Sequence, residues 1–98
     1  MTFKLIVKPH AELDTIEAVM WYNAIREGLG DEFLLTLDAK LNEIIRNPFQ
    51  YPIFYKSIHR GFTERFPYGI YFTIDGNEVY VHAIVHTSRN PQILKKRY

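Results

Sequence analysis

The sequence predicts an α+β protein: an N-terminal strand, an αα-hairpin and then an antiparallel strand meander, with the helices packed on one face of the sheet. Three observations predict this fold. A β-rich run comes first, apolar residues then recur at helical spacing, and after Pro52 the apolar pattern alternates with period two. Strands that follow helices in this way are typical of the α+β class. A chain of 98 residues is too short for two cores, so residues 1–98 are expected to form a single domain.

The first half is expected to hold one strand and two helices. The strand is Phe3–Lys8, because Pro9 cannot continue a sheet ladder. From about Glu12 a helix is indicated by apolar residues at helical spacing, namely Leu13, Ile16, Met20 and Ala24, with Trp21 and Ile25 beside them. Gly28-Leu29-Gly30 ends this helix, and a second helix runs from about Asp31 to Arg46, where Asn47-Pro48 ends it. The short link makes the pair an antiparallel hairpin.

The second half is expected to hold the strands of the meander. Tyr68–Ile74 and Glu78–Val85 are the clearest, and Asp75-Gly76-Asn77 between them is a strong hairpin signal. Ile53–Ile58 and Gly61–Phe66 are further candidate strands, which could also be parts of one strand.

Alternation along the last strand predicts which side chains face the helices. Val79, Val81, Ala83 and Val85 share one face, which we expect to pack on the helices, and Tyr80, His82, Ile84 and His86 share the other, half-exposed face. The residues expected to be buried are Leu34, Leu37, Leu41, Ile44, Val79, Val81 and Val85.

Composition excludes several classes of protein. The absence of cysteine removes disulfide scaffolds and thiol catalysis, and it is compatible with a reducing cytoplasm. No apolar run approaches the roughly 20 residues of a membrane span, and the N-terminus is too polar for a signal peptide, so we expect a cytoplasmic protein without a membrane partner. His82 and His86 would lie about 13 Å apart along a strand, too far to share an ion, and neither a metal nor a cofactor is expected.

Charge is distributed unevenly along the chain. Residues 1–47 carry five Lys/Arg and eight Asp/Glu, a net charge of −3, whereas residues 48–98 carry seven Lys/Arg and three Asp/Glu, a net charge of +4. The basic half contains Lys56, His59, Arg60, Arg65, His86, Arg89 and the tail Lys95-Lys96-Arg97. Arginines that neutralise phosphates, beside rings that stack on bases, would suit RNA or an acidic peptide. The same residues would also suit a solvated strand edge.

Several motifs, in this order, resemble the RelE/ParE toxin superfamily. They are Trp21-Tyr22, the G-L-G-x-x-F of Gly28–Phe33 with Asn47-Pro48 after the spaced leucines, the R-F-P-Y-G-I-Y-F of Arg65–Phe72, and the H-x-x-R-x-P that ends at Pro91. The similarity is closest to the ParE-like "plasmid stabilisation" branch. It implies the toxin of a bacterial type II toxin–antitoxin system that inhibits growth and is neutralised by a small cognate antitoxin. Trp21 and Tyr22 are adjacent on a helix and point about 100° apart, so one of them is a candidate for the antitoxin-binding groove.

The resemblance implies two alternative activities. ParE-like members bind DNA gyrase and need no catalytic set, whereas RelE-like members are endoribonucleases that cut mRNA on the ribosome. Arg89 and Tyr68 match positions of the nucleases, but Gly69 stands where the nucleases usually place an arginine. The target- or RNA-binding candidates are Arg60, Arg65, Tyr68 and Arg89, and the candidates for a catalytic role are Arg65, His86 and Arg89, with Tyr98 as a further stand-in for a C-terminal tyrosine.

The incomplete nuclease set favours the ParE-like interpretation, because cleavage requires a cation and a proton acceptor that converge on one bond. A ribosome-dependent endoribonuclease remains the alternative. A degenerate family member that binds an antitoxin without being toxic is a third interpretation.

Overall fold

The computed structural model describes residues 2–97, and its elements follow the predicted order. Strand β1 spans Lys4–Val7, and helices α1 and α2 span Pro9–Ile25 and Leu29–Arg46. Four more strands follow: β2 (Ile53–Tyr55), β3 (Ile58–Phe62), β4 (Tyr68–Asp75) and β5 (Glu78–His86). Short 3-10 turns lie at Pro48–Gln50 and Pro91–Ile93, and one helical turn, α3 (Leu94–Arg97), follows the second of them.

The five strands form one mixed sheet in the order β1-β5-β4-β3-β2. Neighbouring strands are antiparallel except for β1, which pairs in parallel with β5, so that Leu5 lies opposite Val79. The predicted α+β fold is confirmed.

Local backbone chemistry explains where the elements differ from the predicted boundaries. Pro9 occupies the first turn of α1, where its missing N–H costs no hydrogen bond, and the helix therefore begins before Glu12. Gly28 separates the helices with a left-handed φ of 87° that glycine adopts without strain. The predicted strand Gly61–Phe66 is wrong: the chain leaves the sheet after Phe62 and turns through Arg65, whose φ is +70°.

The principal core lies between the helical hairpin and the sheet. Phe33, Leu37, Ile44, Phe72 and Val81 belong to this cluster and are essentially inaccessible. Six of the seven residues expected to be buried are buried, namely Leu37, Leu41, Ile44, Val79, Val81 and Val85. Leu34 is the exception, with 37% of its surface exposed, so its predicted burial is wrong. It lies on the outer side of α2, about 60° around the helix from Leu37.

The predicted common face of Val79, Val81, Ala83 and Val85 is also wrong, because a β-bulge interrupts β5. Phe72 lies opposite Val81 and Tyr71 lies opposite Ala83, so that His82 is an additional residue in this strand. Val79 and Val81 consequently join the core under the helices. Ala83 and Val85 pack instead with Ile58, Tyr71 and Leu94 on the other face, and Ile84 replaces them on the helical side.

Helix α1 is apolar on two opposite sides. Its buried side holds Ala11, Ala18 and Tyr22. Met20, two residues beyond Ala18, is 67% exposed and lies about 200° around the helix from it. Leu13 and Ile16 are also more than half exposed, so the apolar spacing that predicts this helix marks a surface stripe. We call Leu13, Ile16 and Met20 the outer stripe of α1.

Candidate functional site

A cleft of about 580 Å³ lies between α1 and the C-terminal end of β5. Its walls come from α1 (Asp14, Glu17, Ala18 and Trp21), the start of β4 (Tyr68), the end of β5 (Ile84 and His86) and the turn that follows (Ser88 and Arg89). The residues of α1 are spaced i, i+3, i+4 and i+7, which places them on one face of the helix.

The edge of β5 beside the cleft is capped by side chains instead of a strand. Strand β1 pairs with residues 78–81, and beyond them the Asp14 carboxylate accepts the Ile84 N–H at 3.0 Å. The Arg97 guanidinium donates to the His82 carbonyl at 3.2 Å and to both oxygens of Asp14 at 2.6 and 3.0 Å. These contacts occupy backbone groups that an added strand would need.

Tyr68 connects the cleft to the core. It is paired in register with His86, and the two rings meet at nearly a right angle with centroids 5.2 Å apart. Burial raises the pKa of the Tyr68 phenol and the neighbouring Tyr22 adds to the shift, while Arg89 lowers it. The phenol therefore stays protonated at neutral pH and cannot serve as a ready proton acceptor.

The turn after β5 orients His86 and leaves Arg89 exposed. The Ser88 N–H donates to Nδ1 of His86 at 3.1 Å, so in the neutral ring Nε2 carries the proton. The Arg89 N–H donates to the His86 carbonyl at 2.9 Å. Within residues 2–97 the Arg89 guanidinium has no ion pair.

The structure brings together some of the predicted site residues and separates others. Trp21, Tyr68, His86 and Arg89 line the cleft, and Trp21 is 63% exposed. Tyr22 is buried beside Phe33, Phe66 and Tyr68, so of the two adjacent aromatic residues Trp21 is the accessible one.

Arg65 and Arg60, the two other cations predicted to bind a target or RNA, do not line the cleft. Arg65 forms an ion pair with Glu32 at 2.7 Å and does not line the cleft. The Arg60 guanidinium carbon lies 4.3 Å from the centroid of the Phe54 ring and 4.9 Å from that of Phe62. Arg60 is on the sheet face opposite the helices, because Ile58, two residues earlier on β3, packs in the cluster on that face. Tyr98 lies outside the described residues.

The acidic residues in the cleft wall are not among the residues predicted for the site. Asp14 and Glu17 lie on α1, whose residues 9–25 contain three Asp/Glu and no Lys or Arg. The i, i+3, i+4, i+7 spacing of Asp14, Glu17, Ala18 and Trp21 is the sequence signal for their common helix face. The longer apolar residues of the outer stripe hide this signal, because they dominate the helical pattern.

This arrangement suits the binding of a polypeptide better than the cleavage of RNA. The charge of Asp14 is paired with Arg97, but Glu17 beside Arg89 repels a phosphate, and the aromatic walls offer apolar contact. Gly69, which would hold the missing arginine, is covered by a ring: a Cβ there would lie 3.1 Å from the Tyr71 side chain. Within residues 2–97 no three His, Asp or Glu side chains are grouped to hold a metal ion, and no helix is long and apolar enough to cross a membrane.

The fold and the cleft define a small α+β domain with an αα-hairpin on one face of a five-stranded mixed sheet. Among solved structures it is similar to a chain of the chromosomal ParDE TA system from P. aeruginosa, with a TM-score of 0.78 at 15% sequence identity, covering 87% of this chain and 96% of that one. At this level of identity the likeness concerns the fold, and it confirms the α+β architecture that the resemblance implies. No protein-family model matches the sequence, and comparison with curated proteins finds no match.

Proposed function

We propose that this protein is the toxin of a type II toxin–antitoxin pair and that it acts in the cytoplasm in the ParE-like way. It inhibits growth by binding a cellular protein, DNA gyrase, and a cognate antitoxin neutralises it. The observation that carries this proposal is the common fold with a chain of the ParDE TA system over 87% of the sequence.

The distribution of the cations supports target binding in preference to cleavage of RNA. Cleavage requires positive groups and a proton acceptor that converge on one phosphate. Here Arg65 is paired with Glu32 and Arg60 lies on the opposite face of the sheet, so Arg89 stands in the cleft without them. A gyrase inhibitor needs a specific binding surface and no such convergence.

The antitoxin is proposed to cover α1. The outer stripe exposes Leu13, Ile16 and Met20, and Trp21 is exposed at the adjacent cleft. Because α1 carries acids and no Lys or Arg, an amphipathic antitoxin helix with basic residues beside its apolar face would complement it.

Controlled expression in bacteria tests the proposal. Induction of the chain alone should stop growth, and co-expression of the neighbouring short reading frame should restore growth and yield a co-purifying complex. The purified chain should inhibit DNA supercoiling by gyrase in vitro. Codon-spaced mRNA cuts in primer extension, without gyrase inhibition, would replace the proposal with the nuclease alternative. A harmless chain that binds the neighbouring product would be the degenerate family member.

Arg89→Ala tests whether the target-binding surface lies at the cleft. The guanidinium is exposed and without an ion pair within residues 2–97, so we expect the free energy of unfolding to change by no more than about 0.5 kcal/mol. Growth inhibition should fall clearly. Arg46→Ala removes an equal charge from the end of α2 and should remain toxic. A folded, fully toxic Arg89→Ala variant would move the target-binding surface away from the cleft.

A further inference from the structure

The protein exposes two surfaces of opposite charge on opposite sides of its sheet. The first is the outer stripe of α1, on the helical side. The second comes from β2, β3 and α3, on the face that the hairpin does not cover. Phe54 lies on that face, since its ring centroid is 5.4 Å from that of Tyr71, and Leu94 of α3 packs in the same cluster as Tyr71. We call Phe54, Lys56, Arg60, Phe62 and Lys95 the basic–aromatic face.

The basic–aromatic face combines unpaired cations with exposed rings. Phe54 is 38% and Phe62 47% exposed, and their ring centroids lie 4.3 and 4.9 Å from the Arg60 guanidinium carbon. Within residues 2–97, Arg60, Lys56 and Lys95 form no ion pair. The segments that build the face, residues 50–63 and 86–97, contain no Asp or Glu. The face therefore presents apolar area together with positive charge.

The outer stripe combines exposed apolar side chains with acids. Glu17 lies about 40° around α1 from Leu13, and Glu12 lies about 40° from Ile16 on the other side, so an exposed acid flanks each edge of the stripe. Neither acid forms an ion pair in the part of the chain that the structure describes. The stripe therefore presents apolar area together with negative charge.

We propose that the outer stripe of one copy docks on the basic–aromatic face of a second copy of this chain. The apolar side chains of the stripe contact the exposed rings, while its two flanking acids approach Arg60, Lys56 and Lys95. A second copy fits because each surface supplies the charge that the other lacks, and both also expose apolar area.

The positions of the two surfaces determine the form of the assembly. Because they lie on opposite sides of the protein, the contact is heterologous, and each copy that joins leaves one stripe and one basic–aromatic face free. Association therefore continues into open chains as the concentration rises. This inference goes beyond the proposed function and does not depend on it. An antitoxin on α1 would occupy the same stripe and keep the copies apart.

Sedimentation velocity of the full chain, made by cell-free synthesis, tests the proposal. The wild type should form dimers and larger species as its concentration rises at low salt, and added salt should shift it towards the monomer. Met20→Glu places a carboxylate in the apolar contact, and Arg60→Glu places an acid against the acids of the stripe. Each change should weaken the association by at least tenfold.

A mixture of the two variants provides the sharpest measurement. Met20→Glu retains an intact basic–aromatic face, and Arg60→Glu retains an intact stripe. Together they should form heterodimers that do not grow further, because each heterodimer exposes only the two altered surfaces. If circular dichroism shows that Arg60→Glu is misfolded, Lys95→Glu, at an exposed position, takes its place.

Matched controls separate this contact from general attraction between charges. Ala39→Glu adds a carboxylate at an exposed position of α2, and Arg46→Glu reverses a charge at the end of that helix. Both should associate like the wild type, and losses equal to those of Met20→Glu and Arg60→Glu would overturn the proposal. A mixture that stays monomeric would do the same.

Two further outcomes would assign the stripe to another occupant and so overturn the proposal. A wild type that stays monomeric at low salt would leave the stripe to the antitoxin alone. If Arg60→Glu dimerises like the wild type while Met20→Glu does not, two stripes pair with each other in an isologous contact.

Discussion

At the scale of single residues, Asp14 has the largest structural role near the cleft. Its carboxylate accepts two bonds from Arg97 and one from the Ile84 N–H, and so it joins α1, β5 and α3. Both charged side chains are largely buried, with 12% of Arg97 and 16% of Asp14 exposed. This contact between residues 83 positions apart has no signature in local sequence, where Asp14 reads as one of several acids in the first part of a helix.

Asp14→Ala should destabilise the fold by about 2–4 kcal/mol, because it leaves a buried guanidinium and the Ile84 N–H without their partner. Glu17→Ala, one turn further along the same helix and exposed, should change the free energy of unfolding by no more than about 0.5 kcal/mol. Urea denaturation of both variants checks this. Similar unfolding midpoints for Asp14→Ala and the wild type would show that the contact contributes little.

At the scale of elements, the spacing of apolar residues and the chemistry of the turns predict most of the fold. They do not predict the bulge in β5 or the buried side of α1. Alternation in Glu78–Val85 identifies β5 and its hairpin, yet the bulge at His82 depends on the pairing with β4 and exchanges the faces of Ala83 and Ile84. Helical spacing identifies α1 but not its buried side. Small residues such as Ala18 pack against the sheet and α2, while the longer Met20 faces outward.

The bulge residue His82 should make stability depend on pH. Burial lowers the pKa of the imidazole from its usual 6.5, and Lys8 lowers it further. The unfolded chain therefore binds a proton more readily than the folded one. The contribution of the neutral His82 ring to stability is therefore complete above about pH 6.5. This contribution is lost as the pH falls through the lowered pKa of the folded state.

Comparison of urea midpoints at pH 7.5 and at mildly acidic pH measures this effect. His82→Gln should lose less stability on acidification than the wild type. His10→Gln, at an exposed position in the first turn of α1, should behave like the wild type. If acidification affects all three proteins equally, another group controls the pH dependence.

At the scale of the whole molecule, charge and exposed rings divide between two sides of the sheet. The acidic α1 with its outer stripe and cleft lies on one side, and Arg60 with the rings of Phe54 and Phe62 lies on the other. The charge difference between the two halves of the sequence thus becomes a difference between surfaces, because α1 and α2 come from the first half and β2, β3 and α3 from the second. The sequence identified Trp21, Arg60 and Arg89 as binding candidates. It could not show that Arg60 is separated from the others, since that depends on which face of β3 is covered.

Met20→Glu tests whether the outer stripe is the surface that the antitoxin covers. Met20 is 67% exposed on the side of α1 away from the core, so the fold should tolerate the change, with the free energy of unfolding within about 0.5 kcal/mol of the wild type. The carboxylate would face the apolar side of the antitoxin helix, away from its basic residues, and the cost of burying it would weaken the complex by at least tenfold. Toxicity without antitoxin should persist, while neutralisation by co-expression should fail. Ala39→Glu, exposed on α2, should be neutralised normally. Wild-type affinity of Met20→Glu for the antitoxin in calorimetry would exclude the outer stripe and leave Trp21 and the cleft as the candidate surface.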